Sequence, residues 1–164
     1  MKITIIGSGY VGLSLGVLLS QYNEVVTYDI DQKKINIINK GLSPIDDTVI
    51  GELLKSGNLN LLATSDKDEA YSNTDLIIIC TPTNYDNQSN QFDVSSVNST
   101  IEDIISKNLE VPIFIKSTVP VGYTLETRKR YNLKNLYFSP EFLREGTAAY
   151  DNQYPSRIII GGDT

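Results

Sequence analysis

Apolar residues follow two alternating patterns along this chain. Short runs rich in β-branched residues stand at Ile3–Ile6, Val25–Tyr28, Leu59–Leu62, Leu76–Cys80, Ile113–Ile115, Leu136–Phe138 and Arg157–Ile160. Between them lie longer stretches, Tyr10–Gln21, Gln32–Asn39, Thr48–Lys55, Val94–Lys107 and Gly122–Tyr131, whose apolar residues recur at helical spacing. In one of them Ile101, Ile104 and Ile105 follow Val94 and Val97 on a single face, and Asp93 is placed to cap the helix. Strands that are apolar on both faces and alternate with helices predict a parallel sheet covered on both sides. The expected class is therefore α/β, a doubly wound, mostly parallel sheet with helices on both faces.

One connection breaks the pattern. Asn84-Tyr85-Asp86-Asn87-Gln88-Ser89-Asn90-Gln91 is polar apart from Tyr85 and follows directly on a strand. It reads as a mobile loop over the carboxyl edge of the sheet, where such folds bind ligands, or in its middle as a plain solvated connection.

Composition narrows the function classes. The 164 residues are 40% hydrophobic, enough for the core of one domain, and no Pro/Gly/Ser linker divides them. Net charge is −6, and the one run of cations is Arg128-Lys129-Arg130, which argues against a nucleic-acid groove. The opening Met1–Gly7 is too short for a signal peptide, and the longest apolar run, around Leu76–Cys80, is far shorter than a membrane span. One cysteine and no histidine exclude a disulfide framework and an ordinary zinc site. A soluble, cytoplasmic protein without a metal is the expectation.

Gly7-Ser8-Gly9-Tyr10-Val11-Gly12 matches G-x-G-x-x-G after a strand and at the start of an amphipathic helix, the context of a dinucleotide-binding, Rossmann-type turn. Gly7 permits the tight turn, Gly9 lets a pyrophosphate approach the backbone, and Gly12 lets the helix pack closely. The helix N-terminus then faces phosphate with its positive dipole end. Asp29 ends the second strand, seventeen positions after Gly12, where a carboxylate can accept from both adenosine ribose hydroxyls and repel a 2′-phosphate. NAD is favoured over NADP. An exposed strand end or helix cap is the plainer reading of Asp29, and a solvated surface that of Lys33 and Lys34.

Thr81 and Thr83 flank Pro82 at the end of a buried strand, where their hydroxyls either contact the coenzyme or only bond the turn. Cys80, beside Ile79 and Thr81, has no activating base in sequence and reads as a structural thiol. Thr118 follows another strand, where it either orients a water or substrate group or caps a helix. In Ser139-Pro140-Glu141-Phe142-Leu143-Arg144-Glu145-Gly146, Pro140 suits a first helical position, which would set Glu141 and Glu145 on one face. Such a pair in a closed site would push one pKa upward for acid–base work, whereas on an exposed helix it would be merely solvated.

Together, IGSGYVGLSLG at 6–16, Asp29, GLSPI at 41–45, CTPTN at 80–84, KSTVPVG at 116–122, SPEFLREGTA at 139–148 and PSRIIIGG at 155–162 resemble the N-terminal NAD-binding domain of the UDP-glucose 6-dehydrogenase family, within the wider UDP-glucose/GDP-mannose dehydrogenases. The resemblance spans nearly the whole chain. It implies a two-step oxidation of a sugar C6 alcohol to a carboxylate through a cysteine thioester, with two NAD⁺. It further implies that Thr118 helps place the catalytic water and that Glu145 is a base near the thioester. Glu141 shares that loop, and with Phe142, Leu143, Arg144 and Glu145 it would contribute to a UDP-sugar site. Val11, Asp29, Lys34, Thr83, Thr118 and Glu145 match positions lining the NAD site, alongside Gly7, Gly9, Tyr10, Gly12 and Thr81. Tyr10 and Arg157 lie in matching motifs where packing is an equal reading.

The family's nucleophilic cysteine belongs to a central helix and C-terminal domain whose motifs are not found in residues 1–164, so those residues are expected to form one NAD-binding domain. The family dimerises largely through that helix, which makes the parent protein an expected homodimer. The GLSPI segment resembles that of the UDP-glucose enzymes, which implies UDP-glucose as substrate. A GDP-mannose or UDP-N-acetylmannosamine dehydrogenase, or a nucleotide-binding module without catalysis, is the alternative.

Overall fold

Among the described residues six parallel strands, in the spatial order Leu61–Thr64, Glu24–Tyr28, Lys2–Ile6, Leu76–Ile79, Ile113–Ile115 and Leu136–Phe138, form the centre of the molecule. The computed structural model describes residues 1–87 and 90–162. In chain order the elements begin β1 (Lys2–Ile6), α1 (Tyr10–Leu19), β2 (Glu24–Tyr28), α2 (Gln32–Ile38), α3 (Thr48–Lys55), β3 (Leu61–Thr64), α4 (Lys67–Tyr71) and β4 (Leu76–Ile79). There follow β5 (Tyr85–Asp86), β6 (Gln91–Phe92), α5 (Ser95–Ser106), β7 (Ile113–Ile115), α6 (Tyr123–Tyr131), β8 (Leu136–Phe138) and α7 (Ala148–Gln153). Ile3 pairs with both Val25 and Leu76, and Ile77 pairs with Ile113, so the strands stack in a single register. The doubly wound α/β class expected from the apolar pattern is the class observed.

The two faces of the sheet carry separate cores. On one, Ile77, Ile79, Ile113 and Ile115 meet Val97, Ile101 and Ile104 of α5. On the other, Ile3, Ile5 and Ile78 pack with Leu15, while Leu13 and Val17 join α1 to α2 and α3. Full burial of side chains like these contributes roughly 1.5–3 kcal/mol each. The alternation along β1 also buries a hydroxyl. Thr4 donates to the Ala70 carbonyl at 2.6 Å, and so its burial costs little.

The structure departs from the sequence reading in five places. The third strand lies at Leu61–Thr64 instead of Leu59–Leu62, because pairing Val25 with Leu61 brings Ala63 and Thr64 into the sheet. Arg157–Ile160 forms no strand. Its isoleucines are 73%, 42% and 57% exposed, and the antiparallel bridge to Phe138 is made by Gly161, beyond the run. The polar connection holds a small hairpin, β5–β6, pinned by an edge-to-face contact of Tyr85 with Phe92 at 5.1 Å. Gln88 and Ser89 of that connection lie outside the described residues.

The fourth departure is two short helices that the apolar periodicity does not reveal. α4 starts where the Asp66 carboxylate accepts from the Asp68 and Glu69 N–H groups. α7 is held by Asp47, which accepts from Ile50 in α3 and from Ala149 in α7, each at 3.1 Å. One buried carboxylate thus joins the starts of two helices, accepting in α7 from a residue 102 positions after its own. Finally, residues 139–145 are not helical, so Pro140 opens no helix and Glu141 and Glu145 are not a helical pair. At α5 the helix begins at Ser95 after Val94, with the Asp93 carboxylate accepting from the Ser95 N–H at 2.9 Å.

Candidate functional site

The strand order reverses between β1 and β4, which opens a crevice outside their carboxyl ends, the ligand position of doubly wound sheets. The glycine turn lines it. Gly7 has φ +101°, and a Cβ there would stand 2.6 Å from the Cys80 carbonyl oxygen. A Cβ on Gly12 would meet the Gly7 carbonyl oxygen at 1.9 Å. Both positions are closed by the protein's own backbone. Gly9 is the reverse: a Cβ there meets nothing within 4 Å. It is also the N-cap of α1 and offers no side-chain cap, so the first N–H groups beside Tyr10 and Val11 remain available to an anion.

At the neighbouring strand end, Asp29 is half-buried. Its Oδ2 accepts from the Ser8 backbone N–H at 2.8 Å and from the Ser8 hydroxyl. Its Oδ1 accepts from the Asp31 N–H at 2.9 Å. Burial works against the charge, but these hydrogen bonds and the positive Lys34 outweigh it, and the carboxyl is held below its ordinary value. Asp29 caps no helix: the cap of α2 is Asp31, which accepts from Lys33. Lys34 is half-buried, whereas Lys33 is exposed.

The ends of β4 and β7 are tied together. The Ser117 hydroxyl donates to the Thr81 carbonyl at 2.7 Å, and the Ser96 hydroxyl of α5 donates to the Pro82 carbonyl at 2.7 Å and stands 3.0 Å from the Thr81 hydroxyl. The Thr81 hydroxyl is thus part of the turn's own bonding, while Thr83 stands half-buried beyond it. Thr118 is exposed at the end of β7 and caps nothing, since α6 starts later, after Gly122 at φ +88°. Cys80 packs with Ile78 and Leu15, and burial pushes its thiol well above its ordinary value, with Lys116 opposing.

Beyond β8 the chain covers a cleft of about 450 Å³ that takes in Lys116, Ser139, Glu141, Phe142 and Arg157. Lys116 was not singled out from the sequence. It is half-buried, 3.5 Å from the Ser139 hydroxyl, and burial lowers its pKa. Burial raises that of Glu141, against the pull of its own backbone N–H and of Lys116. The Oε2 atom of Glu141 is buried without a hydrogen-bond partner among the described residues, a state that favours the protonated acid. Glu145 is exposed on the following turn, so the two carboxylates stand in different environments. Arg144 is committed to Asp151, with Nη2 at 2.8 Å from Oδ1 and its backbone N–H at 2.9 Å from Oδ2. Phe142 lies under the Arg157 guanidinium at 4.8 Å, and Leu143 is half-buried beside it.

Comparison with known proteins gives this crevice its context. The whole chain, residues 1–164, matches the NAD-binding domain of the UDP-glucose/GDP-mannose dehydrogenase family. The chain belongs to that family. It is similar to UDP-glucose 6-dehydrogenase of Campylobacter jejuni, 50% identical over 163 residues, covering 98% of this chain and 42% of that protein. It is likewise similar to UDP-glucose 6-dehydrogenase of Streptococcus pneumoniae, at 51% identity over 163 residues, 99% of this chain and 41% of that protein. Among solved structures, GDP-mannose dehydrogenase of Pseudomonas aeruginosa superposes with a TM-score of 0.86 at 29% identity, covering 99% of this chain and 41% of that one. The chain therefore spans about two fifths of the length of these relatives.

The coenzyme of this domain family is NAD, and the crevice fits it. Open space at Gly9, uncapped N–H groups on α1 and a charged Asp29 are what a diphosphate and a ribose diol without a 2′-phosphate require. What the sequence reading missed were the partners: Ser8 under Asp29, Ser117 between two turns, and Lys116 beside Glu141. Position next to a motif residue was the sole signal for them. Among the described residues no helix is long and apolar enough to cross a membrane.

Proposed function

We propose that this chain is the coenzyme-binding part of a UDP-glucose 6-dehydrogenase, a protein that oxidises the C6 alcohol of UDP-glucose to the carboxylate with two NAD⁺. The observation that carries the reading is the open face of Gly9 beside the ionised Asp29. Bound NAD supplies a two-electron hydride acceptor. The α1 N–H groups at Tyr10 and Val11 hold the diphosphate, and Asp29 with Lys34 orients the adenosine ribose. Thr83 and Thr118, at the ends of β4 and β7, border the reacting end, where the exposed Thr118 hydroxyl positions a water.

The protonated tendency of Glu141 suits it to hold or donate a proton to a sugar oxygen, and the exposed Glu145 suits a base. Phe142 and Leu143 form the wall for the nucleotide sugar, with Arg144 anchoring that wall through Asp151. Cys80 is unsuited to covalent catalysis because its buried thiol resists ionisation. The thiol of the second step is therefore assigned to a part of the protein other than residues 1–164, which act as one NAD-binding domain. The same buried thiol favours a second reading of the chain by itself, as an NAD-binding module without turnover. The homodimer and the choice of UDP-glucose over GDP-mannose or UDP-N-acetylmannosamine belong to the same proposal. The choice of sugar is supported by 50% and 51% identity to UDP-glucose enzymes. Calorimetric titration with NAD and NADP, and NADH formation from the three nucleotide sugars by the chain and by the whole protein, test it. Turnover by residues 1–164 alone, or a preference for another sugar, overturns the corresponding part.

A further inference from the structure

Ser8 occupies the variable position between the first two glycines, and its side chain is fully buried. Its hydroxyl and its backbone N–H both donate to one atom, Oδ2 of Asp29, while Oδ1 takes the Asp31 N–H. A carboxylate offers about four acceptor positions. Three are filled from within the protein, and the open one is on Oδ1.

We infer that Ser8 is a positioning residue for coenzyme choice: by anchoring Oδ2 it fixes the Asp29 carboxylate with its one open acceptor on Oδ1, ready for a ribose hydroxyl and hostile to a 2′-phosphate. This rests on the proposed coenzyme site and adds a second residue to its specificity. The physical reason is the balance at Asp29. Burial disfavours its charge, and the Ser8 hydroxyl is foremost among the contacts opposing that penalty, ahead of the Asp31 and Ser8 backbone N–H groups and of Lys34, the cation acting on it. Without the hydroxyl, the carboxylate gains torsional freedom and its negative charge is held less firmly.

Ser8→Ala is therefore expected to reduce the preference for NAD over NADP about ten-fold, the scale of one charge-assisted hydrogen bond. Ser8→Thr, which keeps the donor, is expected to retain the preference. In an Asp29→Ala background, Ser8→Ala is expected to change nothing further, because its effect runs through that carboxylate. Carbon-detected NMR titration of the Asp29 carboxyl, which needs no coenzyme, should show it moving upward in Ser8→Ala. Circular dichroism confirms folding, and Ser8→Gly serves the same purpose if the alanine variant does not fold. An unchanged preference with an unmoved carboxyl titration overturns the inference. So does an equal loss of both coenzymes that persists without Asp29, which would mark Ser8 as merely structural. A wild-type chain that binds neither coenzyme while the carboxyl still responds to Ser8 overturns the coenzyme site itself, and the two failures are thereby told apart.

Discussion

Gly9 and Gly12 lie three positions apart in one turn, yet a methyl group at each should have opposite consequences. At Gly9 an added Cβ meets nothing within 4 Å, and the residue's φ of −78° suits any L-amino acid. The cost to folding is that of a weaker N-cap, about 0.5–1 kcal/mol. For a chain of this length, that lowers the melting temperature by about 1–4 °C. At Gly12 the same Cβ lies 1.9 Å from the Gly7 carbonyl oxygen, where ordinary contact begins at 3.4 Å. Relief requires the turn or the helix to move by over an ångström, against β4 and the Cys80 side chain, 3.2 Å from the added atom. Overpacking of that kind against backbone costs ~3 kcal/mol or more. The melting temperature then falls by about 6–12 °C. Binding should follow the reverse order. In the proposed site Gly9→Ala puts its methyl where the diphosphate would approach the α1 N–H groups, and it should weaken NAD at least ~ten-fold, the equivalent of losing one good hydrogen bond to charge. Thermal melts followed by circular dichroism and calorimetric titration with NAD measure the two effects separately. A Gly9→Ala variant that binds NAD like the wild type would place the coenzyme elsewhere, and a Gly12→Ala variant of unchanged stability would contradict the packing described for the turn.

Three further outcomes can be checked. Asp47→Ala removes the acceptor for both Ile50 in α3 and Ala149 in α7, and at about 1 kcal/mol per lost cap should destabilise the chain by ~2 kcal/mol in urea unfolding; a loss below ~0.5 kcal/mol would refute the double cap. Glu141 titrates above its ordinary 4.5 in the folded state because it is buried, so the folded chain holds that proton more tightly than the unfolded chain. Its contribution is favourable at low pH and is lost as pH rises from about 4.5 through the folded value, so urea unfolding should show a decline that is absent in Glu141→Gln; parallel curves for the two proteins would contradict the burial. Cys80 should remain unmodified by a thiol reagent at neutral pH until the chain is unfolded, and prompt labelling of the native protein would show an accessible, ionisable thiol.

The parts of the fold that were legible in the sequence are those governed by local rules. Continuous β-branched runs such as Leu76–Ile79, and the 3.6-residue recurrence through Val97, Ile101 and Ile104, mark buried strands and a one-sided helix whatever surrounds them. The two missed helices divide along the same line. α4 carried a readable sign, Asp66 followed three positions later by Glu69, and was overlooked because five residues are too few to show a period. α7 had no local sign at all, since the acceptor for its Ala149 N–H is Asp47, 102 positions earlier. Arg157–Ile160 is the converse error. Its composition is that of a strand, but strand formation needs a partner in register, and the bridge to β8 falls at Gly161, beyond the run.

The candidate site shows the same division at the level of chemistry. Gly7, Gly9 and Asp29 could be named in advance because a phosphate and a ribose impose their demands at fixed intervals along one βαβ unit. What each group does electrostatically is set by residues the interval does not specify. Asp29 remains charged despite burial because Ser8 and Asp31 donate to it. Glu141 is driven toward its acid form because it is buried and, among the described residues, no donor reaches Oε2, although Lys116 shares its cleft. Two side chains with the same carboxylate chemistry thus end with opposite proton preferences, one below its ordinary value and one above it. A motif can locate such groups, but the count of donors around each buried oxygen decides whether it binds as an anion or acts as an acid.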